Sequence, residues 1–415
     1  MTDLIRMGKK AVTAKYELQN LSTELKNKVL ADAAKILLED TTYLLSQNDI
    51  DIREAEDAGM HPGMVDRLRL TKERIKDISR GIEQVIELTD PIGEILETIK
   101  RPNDLLIKKV RVPIGVIGIF YESRPNVTAD AFSLCFKTGN VVILKGGSDA
   151  LHSNTAITNS IRKALSENNI NPDCIQLIES TDRETAKAFM KLSDYVDLLI
   201  PRGGAGLIRT VKENSTIPVI ETGTGNCHIY VDDEANLEKL IPILINAKTQ
   251  RIGVCNACES MVIHKSIALK ALPLISEALK KYNVEIRGDE EVIKILPDAV
   301  KATEEDFGSE YLDLIISIKV VDSIKEAIDH INFYNTKHSE SIITENKEHA
   351  EKFLREIDAA CVYVNASTRF TDGFMFGFGA EIGISTQKIH ARGPMGLNEL
   401  TSYKYLIYGN GQIRE

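Results

Sequence analysis

The chain has 415 residues, 43% of them hydrophobic and 27% charged, which is the balance of an ordinary globular protein long enough for two or three separate cores. A formal net charge of −10 and a pI of about 5.5 argue against nucleic acid or an anionic membrane as the main partner, so an anionic substrate needs a local basic site. No apolar run approaches the roughly 20 residues of a membrane span. Residues 1–10 lack the layout of a signal peptide, and six scattered cysteines form no disulfide framework, so a reducing cytoplasm is the expected setting.

Apolar residues at helical spacing, Leu25, Val29, Ala33, Ile36 and Leu37, then Ile75, Ile78, Ile82 and Val85, predict a mostly helical stretch over residues 1–90. Between Gly93 and Val112 two extended segments flank the turn-like Arg101-Pro-Asn-Asp104, which predicts a protruding hairpin. From Gly115 short apolar strands at 115–120, 141–144, 175–178, 197–200 and 219–220 alternate with helical stretches near 126–137, 149–165, 182–192 and 204–212. That rhythm predicts parallel βαβ units and a nucleotide-binding domain.

A second alternating series begins at His228-Ile-Tyr-Val-Asp232 and runs to Cys361-Val-Tyr-Val-Asn365, with a helix at 236–248 and strands at 260–264, 314–321 and 341–344. It predicts a second α/β domain. The Gly-rich stretch Phe374–Gly383 reads as a loop and Tyr403–Tyr408 as a terminal strand.

Cys255 lies between the 236–248 helix and the 260–264 strand, in Thr249-Gln-Arg-Ile-Gly-Val-Cys-Asn-Ala-Cys258. A lone cysteine more often packs than reacts. Beside a Gly-bearing turn, however, a thiol is open to activation and placement against a substrate carbonyl. Cys258 completes a Cys-x-x-Cys pair, but no second pair at zinc spacing and no histidine cluster accompanies it, so no metal is expected.

Five blocks occur in one order: Gly115–Val127, Thr138–Ser148, Glu221–Asn226, Gly253–Ala257 and Lys388–Leu397. With these blocks the chain resembles, over nearly its whole length, the γ-glutamyl phosphate reductases (glutamate-5-semialdehyde dehydrogenases) of the aldehyde dehydrogenase superfamily. The resemblance implies an aldehyde dehydrogenase-like α/β fold of two α/β domains with parallel-rich sheets plus a small oligomerisation hairpin. The expected organisation is an NADP-binding domain at 1–227 and 362–399, a catalytic domain at 228–361, and oligomerisation segments at 93–112 and 400–415. It also implies NADPH-dependent reduction of L-glutamyl 5-phosphate to L-glutamate 5-semialdehyde in proline biosynthesis, functional coupling to glutamate 5-kinase, and a homodimer or larger even homo-oligomer.

Residue by residue, the resemblance makes Cys255 the nucleophile and Asn126 a donor, with the Cys255 N–H, to the oxyanion of the tetrahedral intermediate. Glu221 is expected to gate water, contact the nicotinamide or cap backbone amides. For the cofactor, Lys145 ends an apolar strand where its ammonium would reach the adenosine ribose, and Gly146 lets backbone come close. Ser148 stands where NAD-preferring relatives carry a carboxylate, and its neutrality favours NADPH. Arg202, Gly203 and Gly204 open a helix suited to a pyrophosphate, and Glu310 is matched to a ribose-holding glutamate. Arg124, Arg251, Lys388 and Arg392 are the basic candidates for the substrate's phosphate and α-carboxylate, each with a surface ion pair as the competing role.

Overall fold

The computed structural model describes residues 2–414. In chain order the strands are β1 (Ile95–Lys100), β2 (Leu106–Pro113), β3 (Val116–Tyr121), β4 (Val141–Gly146), β5 (Ile175–Leu177), β6 (Leu198–Arg202), β7 (Cys227–Val231), β8 (Cys258–His264), β9 (Glu285–Gly288), β10 (Val300–Lys301), β11 (Ile315–Val321), β12 (Ser339–Ile343), β13 (Cys361–Val364), β14 (Ile384–Ser385), β15 (Gly393–Pro394) and β16 (Thr401–Tyr408). Two compact units form. The first runs to Thr222 and takes back Gly377–Gly383 and the stretch from Met395; the second holds Gly223–Phe376 and Ile384–Pro394.

In the first unit, helices Thr2–Leu18, Thr23–Glu39, Thr41–Asp57, Pro62–Leu68 and Lys72–Glu87 precede any strand, as the spacing of Val29, Ala33, Ile36 and Leu37 and of Ile75, Ile78, Ile82 and Val85 requires. The sheet behind them is parallel, in the order β5-β4-β3-β6. Every residue of β3 is buried, the pattern of a strand covered on both faces. Chain order reverses at β3, because β4 and β5 lie on one side of it and β6 on the other. Loops leaving the carboxyl ends of β3 and β6 therefore diverge and open a crevice. The expected hairpin is present as β1 and β2, and β16 completes an antiparallel three-stranded sheet by pairing along β2 from Thr401↔Pro113 to Tyr408↔Leu106.

In the second unit a seven-stranded parallel sheet has the order β10-β9-β11-β8-β7-β12-β13. Successive side chains of a strand point to opposite faces, and the two cores show it. Ile229 and Val231 of β7 and Met261 and Ile263 of β8 pack with helices Leu237–Thr249 and Lys265–Lys280, whereas Tyr230 and Val262 pack with helices Ile324–Tyr334 and Lys347–Glu356. Burial of each such aliphatic side chain stabilises the fold by about 1.5–3 kcal/mol.

The boundaries differ from those expected at 227/228 and 361/362. Residues 362–376 stay with the second unit because β13 zips onto β12 from Ser339↔Cys361 to Ile342↔Val364. The turn beyond β13 is then tied to the cysteine loop: the Asn256 amide donates to the Thr371 carbonyl at 2.8 Å, and the Thr368 hydroxyl donates to the Asn256 carbonyl at 2.8 Å. Among the described residues no helix is long and apolar enough to cross a membrane.

Candidate active site

Cys255 sits in the turn between helix Leu237–Thr249 and β8, closed by the Ala257 N–H on the Val254 carbonyl at 3.1 Å. Its position is fixed from both sides. The helix end and strand start are joined by a fully buried ion pair between Lys248 and Glu259, and Glu259 also accepts the Leu312 N–H at 3.2 Å. Burial pushes the Glu259 carboxyl up to about 7, with the Lys248 charge opposing that rise. On the other side Gly225 packs directly on the turn, since a Cβ there would lie 1.4 Å from the Cys255 carbonyl oxygen. Only glycine permits that approach.

Of the six cysteines, all free thiols, Cys255 alone is not buried. Its Sγ lies 3.1 Å from Nε2 of His338. His338 precedes β12 and is fully buried, and burial pulls its imidazole down to about 4, so it is neutral near pH 7 and able to accept a proton. The turn presenting it is strained: Lys337 has φ +63°, while the carbonyls of Lys337 and His338 accept the Ala360 and Cys361 N–H groups at 2.8 and 3.1 Å. His338 Nδ1 reaches Ser339 Oγ at 2.8 Å. Cys227, by contrast, is an inert thiol, pushed well up by burial and donating to the Cys255 carbonyl at 3.1 Å.

Arg369 lies near this thiol, and Arg251 lies near Arg369. Arg369 Nε donates to Gln250 Oε1 at 3.0 Å, and burial, then the charge of the exposed Arg251, pulls Arg369 below its usual value while the charge at Cys255 opposes that. Two cations that repel each other beside a nucleophile form a seat for an anionic group. Glu310 turns one carboxylate oxygen to the Gly225 N–H at 2.7 Å, so it also braces the loop that packs on Cys255.

Lys388 and Arg392 are both engaged by Asp358, each at 2.7 Å, and these partners hold the Asp358 carboxyl below the usual range. An incoming substrate anion would have to displace that carboxylate. Elsewhere in this unit, Asp232, Asp233 and His349 bring ligand-type atoms within 4.8 Å of one another. Asp232 already accepts from Tyr230 at 2.9 Å, Thr344 at 2.6 Å and His349 at 2.8 Å, so the cluster reads as a hydrogen-bonded link between β7 and β12.

In the first unit the cofactor-type residues gather at the carboxyl ends of β3, β4 and β6. Lys145 is buried near the end of β4, its ammonium on the Gly146 carbonyl at 2.9 Å, and burial lowers its pKa. Ser148 is exposed just beyond. Arg202 ends β6, and Gly203 and Gly204 lead into helix Ala205–Asn214. Across the crevice Glu122 turns Oε2 to the Gly204 N–H at 2.9 Å, and a Cβ on Gly203 would meet the same oxygen at 2.4 Å. Ser123, next in line, holds φ +42°, a strained conformation for a non-glycine residue.

Asn126 is the first residue of helix Asn126–Lys137, exposed, and its amide donates to Asp130 at 2.8 Å. Burial pushes the Asp130 carboxyl up to about 6. Arg124 is exposed in the loop before that helix. Glu221 is paired with Lys212, its two oxygens 2.9 and 3.2 Å from the ammonium.

Sequence reasoning missed His338 and Arg369. Neither stands in a motif: His338 is 83 residues from Cys255, and a lone histidine ahead of a strand carries no spacing signal. The one available hint was that polar Asn335-Thr-Lys-His338 runs directly into a buried strand, so that a histidine stands in a loop held by the sheet.

The aldehyde dehydrogenase family model matches residues 2–294 and 292–406. γ-Glutamyl phosphate reductases of Agathobacter rectalis and Listeria monocytogenes are each 57% identical to the chain, with complete coverage of both sequences in each pairing. The crystal structure of γ-glutamyl phosphate reductase from Thermotoga maritima superposes with a TM-score of 0.98 at 53% identity, covering 99% of this chain and 100% of that one. At 18% identity, glyceraldehyde-3-phosphate dehydrogenase of Methanocaldococcus jannaschii complexed with NADP shares the fold, with a TM-score of 0.70 over 99% of this chain and 94% of that one. The chain belongs to the aldehyde dehydrogenase family and, within it, to the γ-glutamyl phosphate reductases.

Proposed function

We propose that the chain reduces L-glutamyl 5-phosphate to L-glutamate 5-semialdehyde with NADPH and releases phosphate, the second step of proline biosynthesis from glutamate. The observation that carries the reading is the single partly exposed thiol, Cys255, with its sulfur 3.1 Å from the neutral imidazole of His338. That relatives 57% identical over the whole chain are γ-glutamyl phosphate reductases supports the substrate.

The Cys255 sulfur attacks the acyl carbon, its proton passes to His338 Nε2 as the Nδ1 proton moves outward, and the departing phosphate takes a proton from solvent, leaving a thioester on Cys255. The negatively charged oxygen of each tetrahedral stage is assigned to the Cys255 N–H and to Asn126. Arg251 and Arg369 are the preferred anion contacts, ahead of Lys388 and Arg392, which Asp358 already occupies. Arg124 and Glu221 are kept as secondary candidates.

The crevice of the first unit fits a dinucleotide. The Gly204 N–H at a helix start already attracts a carboxylate oxygen, the stand-in for a pyrophosphate, and the exposed residue after β4 is the uncharged Ser148. Lys145, Gly146, Ser148, Arg202, Gly203 and Gly204 would hold the adenosine and pyrophosphate, and Glu310 the nicotinamide ribose. When bound, NADPH supplies the hydride that reduces the thioester. The neutral hydroxyl of Ser148 tolerates a 2′-phosphate where a carboxylate would repel it.

The test is the reverse reaction. NADP reduction by glutamate 5-semialdehyde is expected to require inorganic phosphate for multiple turnover, because phosphate must resolve the thioester. Phosphate-independent turnover would identify a hydrolytic aldehyde oxidation and defeat the reading. Assembly through the β1-β2-β16 sheet into an even homo-oligomer, coupling to glutamate 5-kinase and residence in the cytoplasm belong to the same proposal. The exposed Ile95, Tyr403, Tyr405 and Ile407 on that sheet favour self-association.

A further inference from the structure

Proton balance singles out a further set of residues, resting on the acyl-phosphate reading. In the acylation half the thiol proton must leave through His338, because the departing phosphate is protonated from solvent. In the reductive half the aldehyde departs from a thiolate, and one proton must return to sulfur. Each turnover thus passes one proton outward and one inward through His338, which is fully buried.

A continuous line of hydroxyls leads to it. Tyr363 OH lies 2.7 Å from Thr371 Oγ1, Thr371 Oγ1 2.6 Å from Ser339 Oγ, Ser339 Oγ 2.8 Å from His338 Nδ1, and His338 Nε2 3.1 Å from Cys255 Sγ. His338, Ser339 and Thr371 are fully buried, whereas Tyr363 is only half-buried. The line therefore ends at its first residue that is not fully buried.

We infer that Tyr363, Thr371, Ser339 and His338 form a relay that exchanges the Cys255 proton with solvent, outward in one half of each turnover and inward in the other. Every member both donates and accepts, so one concerted shift moves a proton inward without placing net charge on any buried hydroxyl. Tyr363 gives its proton to Thr371 and regains one from solvent, Thr371 gives to Ser339, Ser339 to His338 Nδ1, and Nε2–H to the sulfur. Acylation, like formation of the thioester from the aldehyde, runs the same shift outward and returns the ring proton to Nε2, so the imidazole is reset in every turnover.

Independent contacts hold the line in register. The Asn256 amide donates to the Thr371 carbonyl at 2.8 Å, and Ser339 opens the paired strand β12. Cys227, whose sulfur is 3.8 Å from His338 Nδ1, donates to the Cys255 carbonyl instead, leaving Nδ1 to Ser339. Burial pushes the Tyr363 phenol well above its usual value, so it passes a proton by exchange and not by ionising.

The test is rapid-mixing measurement of NADPH formation from glutamate 5-semialdehyde and NADP without phosphate, in H2O and D2O, where one proton must leave as the thioester forms. Ser339→Ala and Tyr363→Phe are expected to slow this single turnover by about 10- to 100-fold and to enlarge its solvent isotope effect. The semialdehyde KM should stay near the parent value, and Ser339→Thr, which keeps the hydroxyl, should recover the rate. If both hydroxyl-deleted variants match the parent in rate and isotope effect, the relay is overturned; it is equally overturned if rate and KM fall together with the isotope effect unchanged, the mark of a packing role. Tyr363→Phe removes one oxygen from a half-buried residue and so keeps the test valid should Ser339→Ala fold poorly. A parent that forms no NADPH in the first turnover overturns the acyl-phosphate reading and the relay together, whereas a normal parent with unaffected variants overturns the relay alone.

Discussion

The two units use opposite edges of their parallel sheets. In the first, Glu122, Ser148, Gly203 and Gly204 gather at the carboxyl ends of β3, β4 and β6, where chain leaving a strand enters a helix start and turns N–H groups such as that of Gly204 toward an acceptor. In the second, Gly225, Cys255 and His338 gather at the amino ends of β7, β8 and β12, where chain arrives at the sheet. The carboxyl edge offers backbone donors, suited to phosphate oxygens whatever the side chains. The amino edge lacks that supply, so its chemistry rests on side chains held by buried partners, and it tolerates substitution less.

That contrast breaks most readily at the thiol. Cys255→Ser is expected to lower turnover by at least about three orders of magnitude, since an alkoxide is far harder to form beside a weak imidazole base. NADPH affinity, measured by fluorescence titration, should stay within about twofold if the two sites act separately. A matching loss of cofactor binding would show that the thiol shapes the other edge as well.

Ser148→Glu probes the carboxyl edge alone. It should weaken NADPH by about tenfold more than NADH, the effect of one carboxylate facing the 2′-phosphate, while iodoacetamide labels Cys255 at the parent rate. Equal weakening of both cofactors would move the 2′-phosphate elsewhere.

The smallest effect sharpens the comparison through pH. His330 packs edge-on to Phe307 and 4.7 Å from the Tyr334 ring, with Nε2 buried, and burial pulls it down to about 3. Its folded value lies below its unfolded one, so its contribution is complete above about pH 6.5 and is lost as pH falls toward about 3. His330→Phe should therefore lose about 2 kcal/mol less stability than the parent between pH 7 and 5, read from urea melts. An identical pH dependence in the two proteins would refute the buried neutral imidazole.

The βα rhythm of both units was legible because fully buried strands such as Val116–Tyr121 and Cys227–Val231 are short apolar runs bounded by polar turns. Cys255 was legible from its flanking Gly253 and Asn256 and from the ordered blocks around it. The partner that gives the thiol its base was not, because a contact over 83 residues leaves no periodicity. Lys388 and Arg392 looked available for substrate until folding brought Asp358 to them. Helices Lys265–Lys280, Ile324–Tyr334 and Lys347–Glu356 were not among the elements expected from the sequence. Charge and proximity are properties of the folded chain, and single residues hide both.

The pairing of β16 with β2 also fixes an order of birth. Arg111 and Thr401, joined at 3.0 Å, are 290 residues apart, and the second unit is encoded almost wholly between them. On a ribosome adding about 5–20 residues per second, β2 waits roughly 15–60 s for its neighbour while the intervening unit is synthesised. The half that is translated first is thus completed last, and until then the nascent chain carries an open strand edge on which another chain could pair.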